Sequence, residues 1–343
     1  MNKKPIIIGI ESSCDETAVS IIKNRKVLSN IIIHQNIHRK YGGVVPELAS
    51  RLHDKNIPIA VKKAIFLAKI KIKQLDAVSF TIGPGMIGSL LVGSSFAKSL
   101  SIGLNIPILT VNHIQAHILT HFIKNANINN SYPKFPFLCL VISGGHTQII
   151  KVNDFFKMKV LGSTLDDSVG DTFDKVARIL GFHYPGGPMI DTFSKNGNYK
   201  KFIFSKPLVN GLNFSFSGLK SNILQLIKNK LKKNPFFINE NKSDLCASIQ
   251  RTIAEILLEK VQKAILKTKI CRIALAGGVS ANHDIRKMFI LFSKKNPKYE
   301  IFIPKKIYTT DNGAMIAITG LFKYEKKLFD SIDVHPFSKF EIF

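Results

Sequence analysis

The chain has 343 residues, 45% hydrophobic and 21% charged. That is a globular composition, long enough that two lobes are expected in place of one core. With 49 Lys and Arg against 23 Asp and Glu, the net charge is +26; such a surface attracts polyanions such as RNA, although a Lys-, Ile- and Asn-rich composition also accumulates lysines on plain solvated faces. The four cysteines, Cys14, Cys139, Cys246 and Cys271, are widely spaced and form no C-x-x-C, which argues against a disulfide scaffold or a zinc knuckle and suits a reducing cytosol.

The opening Met1-Asn2-Lys3-Lys4 leads into a short apolar run without a small-residue cleavage site, so no secretory signal is expected. Strands are predicted over Ile6–Ser12, Thr17–Lys23 and Val27–His34, the last two joined by a turn at Asn24-Arg25. Helical periodicity runs from Pro46 to about Ala68, a buried strand covers Asp76–Ile82, and a helix follows from about Met86 to Leu104. The apolar stretch Ile82–Leu104 holds Lys98, a proline and several Gly and Ser, and lacks an aromatic belt. It reads as a helix buried against a sheet and not as a membrane span. Ile106–Val111 is a further strand, and a helix opens at His113.

The polar, proline-bearing Ser131–Pro136 marks a lobe boundary, after which the pattern recurs. Phe137–Ser143 is a strand, Gly144-Gly145 a turn, Thr147–Val152 a strand, and Arg272–Ala276 a later strand. Ile8-Gly9-Ile10-Glu11-Ser12-Ser13-Cys14-Asp15-Glu16-Thr17 parallels Leu140-Val141-Ile142-Ser143-Gly144-Gly145-His146-Thr147: strand, tight polar loop, strand opening on Thr. This duplication of an α/β unit resembles the actin-like ATPase architecture, two lobes facing a cleft.

Two loops have the make-up of anion cradles. Ser143-Gly144-Gly145-His146-Thr147 offers successive amides and hydroxyls, with a simple hairpin turn as the alternative. Ala276-Gly277-Gly278-Val279-Ser280-Ala281-Asn282 follows a strand and opens a helix, where phosphate or ribose binds; a glycine turn with Ser as the helix cap is the alternative. No G-x-x-x-x-G-K-[ST] occurs, and Gly83-Pro84-Gly85-Met86-Ile87-Gly88 lacks the Lys-Ser/Thr that a P-loop requires. The acidic run Asp166–Lys175 precedes a helix; its carboxylates either hold a metal or ribose or form the ion pairs Asp171–Lys175 and Asp174–Arg178. Tyr184-Pro185-Gly186-Gly187-Pro188 reads as a rigid turn with Asp191 just beyond.

His113 and His117 share a helical face at i, i+4 and suit a single metal ion. Asn112 and Gln115 form a variant capping box that starts the helix there. His121 continues the same face, so spacing leaves open the pairs 113/117 and 117/121, and a purely structural pair as well. A zincin protease needs Glu directly after the first His as general base, and Ile114 stands there. Asp311, in Thr309-Thr310-Asp311-Asn312-Gly313-Ala314 at a predicted helix start, is a distant candidate third ligand.

From about Ile8 to Gly320, the ordered motifs resemble the TsaD family of tRNA N6-adenosine threonylcarbamoyltransferases. They are Gly9–Thr17, Tyr41–Arg51, the H-x-x-x-H, Val141–Gln148, Phe214-Ser215-Phe216-Ser217-Gly218-Leu219-Lys220, Ala276–Asn282 and Thr310–Ala317. The resemblance implies an α/β, two-lobed actin-like (ASKHA) fold with duplicated ribonuclease-H-like lobes around a central cleft. Residues 1–130 with about 306–343 would form the N-terminal lobe and about 131–305 the C-terminal lobe. It implies one divalent metal ion per subunit, Fe(2+) ahead of Zn(2+), held by His113, His117 and Asp311. It also implies a threonylcarbamoyl-adenylate in the cleft, held by Val141, Ile142, Ser143, Gly144, Gly145, Asp174, Gly187, Asp191 and Asn282. Two positions depart from the family's habit: Asn112 where a further His is frequent, and Gln115-Ala116 where Glu-Gly is frequent. Neither removes a ligand, and both bear on the surroundings of the metal.

The implied reaction is attack of the adenosine N6, 3′ of the anticodon in tRNAs reading codons that begin with adenine, on the carbamoyl carbon of threonylcarbamoyl-AMP, releasing AMP (t6A formation). No Ser-His-Asp or Cys-His set is apparent, so a covalent enzyme intermediate is not expected, and the residue that takes the N6 proton is unassigned, with Glu11 and His146 as candidates. Expected partners are tRNA, a non-catalytic TsaB-like paralogue and a small TsaE-like ATPase, in the cytoplasm and without a membrane. A metal-dependent glycoprotein endopeptidase is the main alternative. An actin-like ATPase or sugar kinase, and a binding-only subunit, are further ones.

Overall fold

A computed structural model describes residues 4–339; residues 1–3 and 340–343, expected from the sequence to belong to the first lobe, lie outside the described residues. The chain divides into two compact units, Met1–Tyr132 with Pro304–Phe343, and Pro133–Ile303. The first unit opens with β1 (Ile6–Glu11), β2 (Glu16–Lys23) and β3 (Lys26–His34), followed by α1 (Pro46–Ala68), β4 (Ala77–Gly83), α2 (Ile87–Leu104), β5 (Ile108–Asn112) and the short α3 (His113–Leu119). The second contains β6 (Phe137–Ile142), β7 (Thr147–Asp154), β8 (Lys157–Ser163), α4 (Val169–Ile179), α5 (Gly186–Ser194), α6 (Ser217–Leu231), α7 (Phe237–Thr268), β9 (Arg272–Ala276), α8 (His283–Lys295) and β10 (Glu300–Phe302). The chain then returns to the first unit with α9 (Gly313–Glu325).

The duplication read from the sequence is present in the topology. The first sheet has the order β3-β2-β1-β4-β5 and the second β8-β7-β6-β9-β10. In each, the first three strands form an antiparallel meander and the last two run parallel to the first. The cause is visible in β1 and β6. Both are buried at every position, β6 apolar throughout and β1 apolar up to its final residue, Glu11, as befits central strands with neighbours on both sides. The β2–β3 hairpin turns at Asn24 and Arg25, which take φ of 49° and 61°, the mirror-image turn that suits the right-handed twist of paired strands.

Helix α9 lies against β1 and β2 through an approach that only glycine permits. A Cβ on Gly9 would sit 2.4 Å from the Ala317 amide nitrogen, and one on Gly313 would sit 2.4 Å from the Ser20 amide nitrogen. Helix α2 packs on α1 and β4, as expected, but it is not wholly buried: Ile87, Leu91 and Ile102 are 47%, 47% and 70% exposed. Two further differences concern the second unit. The stretch read as a rigid turn at 184–188 is the start of α5, with Pro185 as its N-cap and Gly186 as its first helical residue. The cap of α8 is Asn282 and not a serine.

Candidate metal centre and anion loops

Three adjacent strands bring the first cluster together. β1, β4 and β5 are parallel neighbours in register, with Ile10 opposite Phe80 and Thr81 opposite Val111, so their carboxyl ends share one edge of the sheet, where α/β proteins bind ligands. Glu11 is the last residue of β1, Thr81 lies near the end of β4, and His113 follows directly on β5. Asn112 caps α3, its Oδ1 accepting the Gln115 amide at 3.0 Å, and the i, i+4 spacing then puts His113 and His117 side by side. Their ring centroids are 4.7 Å apart at an interplanar angle of 89°. Asp311 arrives just ahead of α9, fixed by Asn312, whose Oδ1 accepts the Met315 amide at 3.1 Å.

The two His Nε2 atoms are 3.2 Å apart, and Asp311 Oδ1 lies 3.1 Å from His117 Nε2 and 3.4 Å from His113 Nε2. A metal bonded to three N and O donors at about 2.1 Å in tetrahedral fashion separates them by about 3.4 Å. The triangle therefore fits a metal, and His113, His117 and Asp311 form a group whose ligand atoms all lie within 4.8 Å of one another. Electrostatics agree: burial alone would lower the His113 pKa, but the Asp311 and Glu11 carboxylates outweigh it and raise it to about 9. The pocket thus favours a positive charge. His121 is not in this group; its Nδ1 lies 2.5 Å from Asn127 Oδ1.

Behind His113 lies an arrangement that sequence spacing did not reveal. Fully buried Glu11 accepts the Ser13 amide on Oε1 at 2.5 Å, and the Thr81 hydroxyl at 2.6 Å and His113 Nδ1–H at 3.1 Å on Oε2. Burial alone would raise the Glu11 pKa, but His113 outweighs this and lowers it. The two candidates for proton removal are thus in different settings: Glu11 is enclosed in the first unit, and His146 is half-buried in a hairpin of the second. Burial pushes the Cys14 thiol pKa well up, which disfavours a thiolate there.

In the second unit the β6–β7 hairpin turns through Ser143–His146, closed by the Ser143 amide donating to the His146 carbonyl at 2.8 Å and the His146 amide donating to Ser143 Oγ at 3.1 Å. Gly144 and Gly145 are exposed, and a Cβ on either would meet open space. Val141 and Ile142 are wholly buried strand residues, so only their main chain is available to a ligand. β9 is followed by Gly277 at φ +86°, where a Cβ would strike the Ile142 carbonyl oxygen; this brings the glycine loop after β9 beside the end of β6. Asn282 caps α8, accepting the Asp284 and Ile285 amides at 3.1 Å each, and donates to Gln250 Oε1 at 2.7 Å.

The acidic run divides by role. Asp166 accepts from Ser215, Phe216 and Ser217. Asp167 accepts from Lys175 and Lys220, and Asp171 pairs with Lys175 at 2.6 Å, as the i, i+4 spacing implied. Asp174 turns to the start of α5, accepting the Gly186 amide at 2.7 Å and the Gly187 amide at 3.3 Å. Asp191 accepts the His283 amide at 2.9 Å. Asp174, Gly187, Asp191 and Asn282 thus stand at the amino ends of α5 and α8 or bond to them, where partial positive charge collects.

The family model described as tRNA N6-adenosine threonylcarbamoyltransferase matches residues 26–318. The chain belongs to the TsaD family. It is 52% identical over 340 residues to the tRNA N6-adenosine threonylcarbamoyltransferase of Christiangramia forsetii, covering 99% of each chain, and 48% identical over 342 residues to that of Porphyromonas gingivalis, covering 100% of each. Among solved structures it is similar to T.kodakarensis HypF, with a TM-score of 0.62 at 15% identity, covering 94% of this chain and 48% of that one. That likeness concerns the fold alone, which is of the ASKHA type. As a TsaD-family member the chain is a transferase that modifies tRNA, and the family implies a metal ion. The endopeptidase alternative gains nothing from the geometry. Ile114 occupies the position after His113 and is buried, and Glu11 stands on the far ring nitrogen from the metal side.

Proposed function

We propose that this transferase moves the threonylcarbamoyl group from threonylcarbamoyl-AMP to N6 of the adenosine 3′ of the anticodon in tRNAs reading codons that begin with adenine, releasing AMP. The observation that carries the reading is the convergence of two imidazole nitrogens and one carboxylate oxygen at 3.1–3.4 Å, with no carboxylate following the first histidine. His113, His117 and Asp311 hold the metal in this reading. Two histidines and one carboxylate with positions left open suit Fe(2+), the ion we favour over Zn(2+). When bound, the metal supplies Lewis acidity for a phosphate or a developing oxyanion.

An exocyclic adenine amine is a poor nucleophile, so positioning and charge stabilisation dominate the rate. The main chain of Val141–Gly145, with Asp174, Gly187, Asp191 and Asn282, is proposed to hold the adenylate. The exposed Gly144 and Gly145 amides and the amino ends of α5 and α8 support this, because both offer N–H groups to a phosphate. His146 stays a candidate for the N6 proton. The two compact units are taken as the two lobes of the fold. A net charge of +26 suits tRNA backbone binding.

A TsaB-like paralogue and a TsaE-like ATPase are the proposed helpers, and the exposed apolar side chains of α2 support a protein partner. α2 is the one described helix long and apolar enough to cross a membrane. It packs on α1 and β4, and its Lys98 donates to the Val334 carbonyl at 2.6 Å, which supports a cytoplasmic enzyme over a membrane-bound one. The test is transfer from threonylcarbamoyl-AMP to an ANN-decoding tRNA transcript with the helpers present. The wild type is expected to modify the transcript and His113→Ala to lose the activity; an unmodified transcript with the wild type refutes the proposal.

A further inference from the structure

We propose that Glu11 is a positioning residue for the metal: it fixes the ring of His113 and the tautomer that leaves Nε2 bare, and it is not the base of the transfer step. The inference rests on the metal reading of His113, His117 and Asp311.

Both oxygens of Glu11 are engaged. Its Oε1 takes the Ser13 amide at 2.5 Å, and its Oε2 takes the Thr81 hydroxyl at 2.6 Å and the His113 Nδ1–H at 3.1 Å. The side chain is fully buried, so neither oxygen is open to a substrate amine. A neutral, metal-binding imidazole that donates Nδ1–H to a carboxylate presents Nε2 as a lone pair, and the carboxylate raises that nitrogen's basicity. On His113 this Nε2 is the atom that faces His117 and Asp311.

The scaffold makes the orientation rigid. Glu11 ends β1, Thr81 sits on the parallel neighbour β4, and His113 follows β5, the next parallel strand. Three strand ends therefore fix carboxylate, hydroxyl and imidazole together, without a flexible loop between them. His117 is the contrast: its Nδ1 is buried and has no hydrogen-bond partner among the described residues. The protein thus orients one of its two histidine ligands from behind, and that one is His113.

The test uses the full chain stripped of metal and titrated with Co²⁺, with affinity read by chelator competition, site geometry by the visible d–d bands, and folding by circular dichroism. Glu11→Gln keeps the shape and removes the charge. It is expected to raise the Co²⁺ Kd by about 10- to 100-fold and to shift the visible bands while the chain stays folded. Thr81→Val, which keeps the carboxylate but removes one of its anchors, is expected to shift both readouts in the same direction by less. A folded Glu11→Gln chain with wild-type affinity and an unchanged spectrum overturns the proposal. If Glu11→Gln does not fold, Thr81→Val decides, and wild-type affinity and spectrum in that variant overturn it. Failure of the wild type to take up Co²⁺ overturns the metal reading itself, and the role of Glu11 with it.

Discussion

Gly9→Ala tests whether the proposed metal site depends on how closely α9 approaches the sheet. The added Cβ would lie 2.4 Å from the Ala317 amide nitrogen and 2.5 Å from the Gly313 carbonyl oxygen, where ordinary contact begins at 3.4 Å. The helix backbone must therefore retreat by about 1 Å. It has little room to do so, because every residue from Gly313 to Phe322 is buried. Overpacking of this kind costs about 1–3 kcal/mol. The shift falls on the helix that begins two residues after Asp311, and metal–ligand distances tolerate only about 0.2 Å.

We expect a lower urea midpoint and a Co²⁺ Kd raised at least about tenfold, equivalent to about 1.4 kcal/mol of binding. Gly103→Ala is the control. Gly103 lies within α2 with nothing within 4 Å of its would-be Cβ, so it should be neutral or stabilising by up to about 1 kcal/mol. If Gly9→Ala matches the wild type in both stability and Co²⁺ affinity, α9 does not set the position of Asp311 and the reasoning fails.

Two further outcomes follow from the side-chain partners. His117→Ala should abolish stoichiometric Co²⁺ binding, whereas His121→Ala, which removes the 2.5 Å contact to Asn127, should lower thermal stability and leave stoichiometry at one; loss of metal in both variants, with His113→Ala still binding, would move the site to 117/121. Burial alone would raise the Asp167 pKa, but hydrogen bonds from Lys175 and Lys220 outweigh it and hold it at about 2, below the unfolded value of about 3.9. Its contribution is therefore present above about pH 4 and lost as pH falls toward about 2. Asp167→Asn should cost about 1 kcal/mol at pH 7, after allowance for the partly exposed lysines. Urea titrations across pH should show the gap to wild type closing on acidification, and a gap that is constant with pH would refute the assignment.

The parts of the fold legible in the sequence were those where local pattern and burial agree. β1 and β6 are apolar on both faces, Asn24-Arg25 marks its turn by residue type, and the repeat of strand, polar loop and strand is visible in Ile8–Thr17 and Leu140–Thr147. Short β10 and the edge strand β8 were not assigned, because Glu300–Phe302 and Lys157–Ser163 are too short or too mixed to hold a period. Tyr184-Pro185-Gly186-Gly187-Pro188 is turn-like in composition, yet α5 starts within it. A proline at the N-cap and a carboxylate on the first amides, here from Asp174, allow a helix to start there. At the site, the spacing of His113 and His117 was visible at once. The link from Glu11 to Thr81 and His113 was not, because it spans 70 and 102 residues and arises only when parallel strands end together.

The duplicated topology also accounts for how one chain can carry both the proposed metal site and the proposed phosphate site. In each unit the meander's first turn and the end of the fourth strand lie at the carboxyl edge of the sheet. β4 ends in Gly83 at φ +154°, and β9 is followed by Gly277 at φ +86°. In the first unit Glu11, at the end of β1, has its pKa lowered beside His113, and this charge favours a cation at the proposed metal site. In the second unit the matching turn, Ser143–His146, holds no acid and contains two exposed glycines, which suits the proposed phosphate contact. The same backbone position has diverged in sign, and the sign is set by the side chains on the turn and not by the fold. The proposed transfer from an acyl-adenylate needs both, an electrophile activated by a cation and a phosphate held by amides. A duplicated sheet supplies them from equivalent edges without any new topology.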